Sequence, residues 1–204
     1  MSAPGSTNAL RNATFDNLQL NAGIFLKNFS YSAVTDAAAL KTAITTEITS
    51  GTNLLGATRG GGTFTVTREM RQPEIDGMRY NFKGGNFVDS VDAYLSTTVV
   101  EVTAENFASL LGGTKTTTGK KTVIKMETAL GDEDYLENLC WVGDLSDGRF
   151  VLICLKNAIN TADFTLTFTD KGEGTLAVEF HACQDEVNDY DEAPFEVVFF
   201  DKAA

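Results

Sequence analysis

Apolar residues recur at every second position in four separate runs of this chain, and that period restricts the fold more than any other feature. Phe64 and Val66 alternate with Thr63, Thr65 and Thr67, and Phe164, Leu166 and Phe168 alternate with further threonines. Leu176, Val178 and Phe180 share one face of a third run, and Phe195, Val197 and Phe199 share one face of a fourth. Side chains on a strand point alternately to its two faces, so each run reads as a half-buried β-strand. Eighteen glycines and fourteen phenylalanines beside three prolines fit sheets joined by tight turns. The expected class is mainly β: a β-sandwich or partial barrel with one flanking α-helix and a long loop. The chain has 204 residues, 43% of them hydrophobic, enough for a sizeable core, and we read residues 1–204 as one domain.

Residues 1–17 are small and polar without periodicity, and read as an N-terminal arm that is flexible in the monomer. Leu18, Leu20, Ile24 and Leu26 then share one face of a strand broken at Ala22 and Gly23. Residues 28–62 read as a long assembly loop. Within it Ala37, Leu40, Ala43, Ile44 and Ile48 fall at helical spacing, but the β-branched Thr42, Ile44, Thr45 and Thr46 weaken a helix. A loop of that length points to contact with a partner, and deleting residues 40–60 is expected to leave a folded subunit. Tyr80 and Phe82 are expected to pair with the strand of residues 63–67, and another strand covers residues 94–102.

The clearest helix follows. Thr103 suits its N-cap, Glu105 its first turn, and Ala104, Phe107 and Leu111 form one stripe before Gly112 and Gly113 end it. Residues 115–121 read as a solvated loop and residues 122–130 as a strand. Asp147 and Gly148 suit a hairpin turn. Residues 150–155 are apolar on both faces, as for a strand covered on both sides by the helix or by another subunit.

The residues able to carry chemistry read as ordinary structure. His181 has no serine or cysteine context typical of a triad, and the glycine run lacks the Gly-Lys-Ser/Thr ending of a phosphate loop. Asp185, Glu186, Asp189, Asp191 and Glu192 lack the glycine and distal glutamate of a calcium loop and read as a solvated segment. Asp132 and Asp134 sit in an acidic turn, and Trp141 reads as core. Cys140, Cys154 and Cys183 are odd in number and widely spaced, so they read as buried free thiols. No catalytic residue, metal site or cofactor is expected.

A net charge of −12 argues against binding nucleic acid through its phosphates. The first thirty residues show no basic start followed by an apolar run, and no apolar stretch approaches the ~20 residues that cross a bilayer. A soluble product made in the cytoplasm is the expectation.

Residues 56–77 concentrate the rest of the signal. Gly60, Gly61 and Gly62 permit positive φ and close approach to a neighbouring chain. After the strand come Arg68, Glu69, Arg71, Glu74, Asp76 and Arg79, with both charge signs around Pro73. These nine residues are the candidate interface between subunits or rings, with ion pairs fixing the register. A solvated strand end is the plainer alternative.

Gly56, Ala57 and Thr58 with the triple glycine, Arg68 to Arg71, Glu74 to Gly77, and the hairpin of residues 163–180 occur in an order that resembles the major tail tube proteins of long, non-contractile-tailed bacteriophages and prophages. The likeness spans most of residues 18–200. It implies a structural virion protein without enzymatic activity, a β-sandwich whose subunits join in hexameric rings, and rings stacked into the tail tube through which DNA is delivered. The implied partners are other copies of the chain and neighbouring tail proteins (tape measure, terminator and distal tail), with DNA passing without specific binding and no membrane insertion. The inner tube of a phage-derived contractile injection device, or a carbohydrate- or surface-binding β-sandwich, are the alternatives.

Overall fold

The computed structural model describes residues 12–202 apart from 127, 169 and 186–191. Residues 1–11 of the expected arm, and Glu186, Asp189 and Asp191 of the acidic segment, lie outside the described residues. The elements run α1 (Asn12–Asp16), β1 (Ile24–Lys27), α2 (Ala37–Ser50), β2 (Thr58–Arg71), β3 (Phe87–Val99), α3 (Ala104–Leu111), β4 (Gly113–Thr118), β5 (Lys121–Met126), β6 (Leu136–Asp144), β7 (Phe150–Asn160), β8 (Leu166–Thr167), β9 (Thr175–His181) and β10 (Phe195–Phe200).

The fold is mainly β and every strand pairing is antiparallel. One layer has the order β1-β6-β7-β10, and the other is β2-β3-β9 with β8 beside β9. Strand β7 belongs to both. Its first part pairs with β6 and β10, and after Asn157, at φ +46°, its end pairs with β9. Asparagine tolerates that left-handed conformation better than most residues, and its amide donates to the Cys183 carbonyl at 3.3 Å.

Between the layers lies a core that includes Phe25, Leu95, Leu139, Leu155, Leu176, Val178 and Phe180. The alternation of Leu176, Val178 and Phe180 is thus the alternation of a strand with one buried face. A second cluster sits on the opposite side of the first layer, where Leu26, Cys140, Val142, Leu152, Cys154 and Phe200 meet Ala37 and Leu40 of α2. This explains why residues 150–155 are apolar throughout: β7 is covered by the second sheet on one face and by α2 on the other.

Helix α2 forms where Ala37, Leu40, Ala43 and Ile44 fall at helical spacing, so the expected loop over residues 28–62 is helical in its middle, and among the described residues both α2 and α3 pack on the sheets where one flanking helix was expected. Asp36 caps its start by accepting from the Ala39 N–H at 2.8 Å, and Gly51, at φ +68°, closes it with an N–H to the Glu47 carbonyl. The β-branched threonines are accommodated, and their hydroxyls are satisfied within the helix. Thr42, Thr45, Thr46 and Thr49 each donate to the carbonyl four residues earlier, at 2.7–3.0 Å. Since Leu40 and Leu55 are fully buried, deleting residues 40–60 removes two core side chains and should unfold the subunit.

Helix α3 forms at the expected place, with Thr103 accepting from the Asn106 N–H and Gly112 in the left-handed region. Its buried residues are Asn106 and Leu110, where the expected stripe was Ala104, Phe107 and Leu111; Phe107 reaches the core's margin and packs on Phe164 at a centroid distance of 4.9 Å. The expected loop over residues 115–121 is largely strand β4, hairpinned to β5 through Gly119 at φ +63°. Leu18 and Leu20 are exposed, so the face they were expected to share begins only at Ile24. Of the two strands expected in the hairpin of residues 163–180, β8 is only two residues long, and Phe168 is exposed.

Candidate assembly surface

Strands β2 and β3 are too long for the sandwich that they enter. Phe64 still contacts Phe195 edge-on, with ring centroids 5.7 Å apart, and Ala93 is buried. Beyond them every residue from 66 to 71 and from 87 to 92 is exposed, on both faces of the ribbon. The pairing nevertheless continues, through an irregularity at Glu69 and Met70, to Arg71 opposite Phe87. Residues 72–86 connect the strands, and Tyr80 and Phe82 lie in this connection with no strand of their own.

Alternation carries the apolar face of the core out along this ribbon. Phe64, Val66, Arg68 and Met70 on β2 are matched by Leu95, Ala93, Val91 and Val88 on β3. Inside the sandwich that face is core, whereas outside it Val66, Met70, Val88 and Val91 stand in solvent, Met70 at 59% exposure. Ile75, Tyr80 and Phe82 extend the exposed apolar surface into the connection. On β10, Val197 and Phe199 are likewise exposed while Phe195 on the same face reaches the core. Among the described residues strands β2 and β10 each pair on one side only, which leaves an edge of each unpaired.

Of the nine candidate interface residues, the structure brings Arg68, Glu69 and Arg71 onto the ribbon and leaves Glu74, Asp76 and Arg79 exposed in the connection. Arg71 is already engaged, its Nε 2.7 Å from Asp89 Oδ1 and its guanidinium 5.6 Å from the Phe87 ring centre. Glu69 accepts from the Ser90 hydroxyl at 3.0 Å. Among the described residues no ion pair joins Arg68, Glu74, Asp76 or Arg79. Asp89 and the apolar stripe were missed because their significance depends on pairing across the ribbon, which spacing along the chain does not reveal.

Within the chain the three glycines shape the start of β2. Gly60 and Gly61, at φ +79° and +76°, form an irregularity between the pairs Thr58 with Val99 and Gly62 with Thr97. Gly62 lies over the core of its own chain, where a Cβ would stand 2.7 Å from Phe25 Cζ. A larger residue there would displace a buried aromatic ring.

The opposite face of the second sheet is polar. From Thr63 to Glu69, with the matching parts of β3 and β9, it carries hydroxyl side chains, Tyr94, Ala177, Glu69, Asp92, Glu179 and His181, and neither lysine nor arginine. His181 stacks on Tyr94 and hydrogen-bonds Asp92 at 2.8 Å and Glu179 at 3.2 Å. Burial lowers its pKa, but the two carboxylates outweigh burial, and the pKa is raised. Trp141, expected in the core, is half-buried and donates its Nε1–H to the Ala22 carbonyl at 2.9 Å. No helix among the described residues is long and apolar enough to cross a membrane. A scan against protein-family models finds no match to this chain, and a search of curated proteins finds no relative of it.

Proposed function

We propose that this chain is a self-assembling structural protein of the tail tube type, in which copies join sideways into rings and rings stack into a hollow cylinder. The observation that carries this reading is the β2–β3 ribbon, which leaves its own sandwich with an apolar stripe uncovered and a strand edge unpaired. Both features are removed from water when another copy covers them. A head-to-tail contact whose rotation closes gives a ring. If six subunits each gave about four strands, ~24 strands at ~4.8 Å spacing and ~40° tilt would form a barrel roughly 45–50 Å across. A wall built from the polar face of the second sheet between Thr63 and Glu69 would present chiefly carboxylates and hydroxyls to a passing duplex, with neither lysine nor arginine among them to hold its phosphates.

Sedimentation and negative-stain microscopy of the purified chain over rising concentration test the proposal. Rings or striated tubes are expected from the wild type. Replacing residues 72–86 with a short Asn-Gly turn, or Met70 and Val91 with glutamate, should leave the far-UV spectrum and unfolding midpoint of the monomer intact and suppress assembly. A wild type that stays monomeric at every concentration, or variants that assemble unchanged, would overturn it.

A further inference from the structure

Cys140 on β6 and Cys154 on β7 stand directly opposite each other, both buried, with their sulfurs 3.0 Å apart. The hydrogen-bond alternation of the sheet fixes what kind of pair this is. Leu145 donates its N–H to the Arg149 carbonyl, so in this register odd-numbered β6 residues point their backbone groups at β7. Asn28 donates to the Asn138 carbonyl and Lys156 to the Pro194 carbonyl, which directs the even-numbered backbone groups of β6 and β7 away from each other, toward β1 and β10. Cys140 and Cys154 are therefore a non-hydrogen-bonded pair, the narrow kind with Cα atoms about 4.5 Å apart, within the range of about 4.4–6.8 Å that a disulfide spans.

The pair lies one residue away from a surface groove, which neither cysteine itself lines. This open groove of about 410 Å³ is lined in part by Tyr31, Asn138 and Glu196. All three stand beside the thiols: Asn138 Oδ1 lies 3.5 Å from Cys140 Sγ, Glu196 is the register partner of Cys154 on β10, and the Tyr31 hydroxyl donates to Glu196 at 3.1 Å. The two thiols are unequal. The hydrogen bond from Cys140 lowers the Cys154 pKa, with help from Tyr31 against burial, while the same bond and burial raise that of Cys140. Cys154 is the sulfur on which thiolate character collects, and thiolate is the form that reacts.

We propose that Cys140 and Cys154 are a reversible oxidation site, closing to a cross-strand disulfide on exposure to a small peroxide. The Cys154 thiolate attacks one oxygen of hydrogen peroxide, the O–O bond breaks, and a sulfenic acid forms with release of hydroxide, which is protonated to water. The Cys140 sulfur then attacks the Cys154 sulfur. The S–O bond breaks, the S–S bond forms, and the hydroxyl leaves as a second water carrying the remaining thiol proton. Two thiols are oxidised by two electrons in all, and one peroxide is reduced to two waters. Cys183 is partly exposed two residues beyond the end of β9, and Cys140 and Cys154 are paired with each other and not with it. The site is independent of whether copies assemble.

The test is a titration of the folded full-length chain with dilute hydrogen peroxide, followed by unfolding, alkylation and peptide mapping. Two of the three thiols should be lost together, as one peptide linking residues 140 and 154 that dithiothreitol splits. Cys183→Ser should leave this product intact and its mass lower by two hydrogens, and Cys154→Ser should abolish it. The linked form should also unfold at a higher urea concentration than the reduced form, with the difference erased by reduction. Cys140 and Cys154 that remain alkylatable in the wild type once Cys183 is fully oxidised, or in Cys183→Ser after the same exposure to peroxide, would overturn the proposal, as would a link through Cys183.

Discussion

Asn106 is a buried amide with every polar group engaged. Its Oδ1 accepts from Lys27 Nζ at 3.0 Å, its Nδ2 donates to the carbonyls of Leu55 and Glu101, and its backbone N–H takes the Thr103 cap. Lys27 is itself buried, and burial lowers its pKa. Asn106→Ala leaves an ammonium and two carbonyls short of partners, so a loss of about 3 kcal/mol is expected in urea unfolding. His181 supplies a pH dependence. Because its folded pKa is raised, its contribution to stability is fully present below the ordinary histidine value of about 6.5 and is lost as pH rises through the folded value. Unfolding midpoints should therefore fall as pH rises above about 6.5, and His181→Gln should flatten that part of the profile. Neither role was legible from the chain: Lys27 with Asn106 and Asp92 with His181 are brought together by topology from 79 and 89 residues apart.

At the scale of elements, what could be read was what is written locally. The alternating runs gave β2, β9 and β10, and the cap and terminating glycine gave α3. Helix α2 carries the same signals in Asp36 and Gly51, but the β-branched Thr42, Ile44, Thr45 and Thr46 obscure it in the sequence, and the bonds of the threonine hydroxyls along the helix are not visible there. Its apolar residues mark it as core, so Leu40→Ala should cost about 2–5 kcal/mol in chemical unfolding, whereas a loop residue would cost almost nothing. Strand β4 was illegible because its lysine and threonines are exposed on both faces, which removes the alternation. The ribbon was half-legible: its mixed charges stood out, but an apolar stripe looks identical in sequence whether a core covers it or solvent does.

For the whole molecule, a charge of −12 opposes bringing copies together. Added salt shortens the range of that repulsion, from about 10 Å at 0.1 M toward about 3 Å at 1 M, without weakening apolar burial. Assembly through the ribbon should thus strengthen as sodium chloride rises from about 0.05 to about 0.5 M, seen as a shift to larger species in sedimentation velocity. An interface held mainly by Arg68, Glu69 and their charged neighbours would weaken instead. The outcome separates the apolar stripe from the ion pairs as the source of cohesion.

Strand β7 gives the two layers one uninterrupted length of backbone. Layers held only by side-chain packing can slide or part under load, but here a pull on one sheet passes along peptide bonds through the bend at Asn157 into the other. A subunit built this way yields as a single body, and a mechanical disturbance arriving at either face is felt at both.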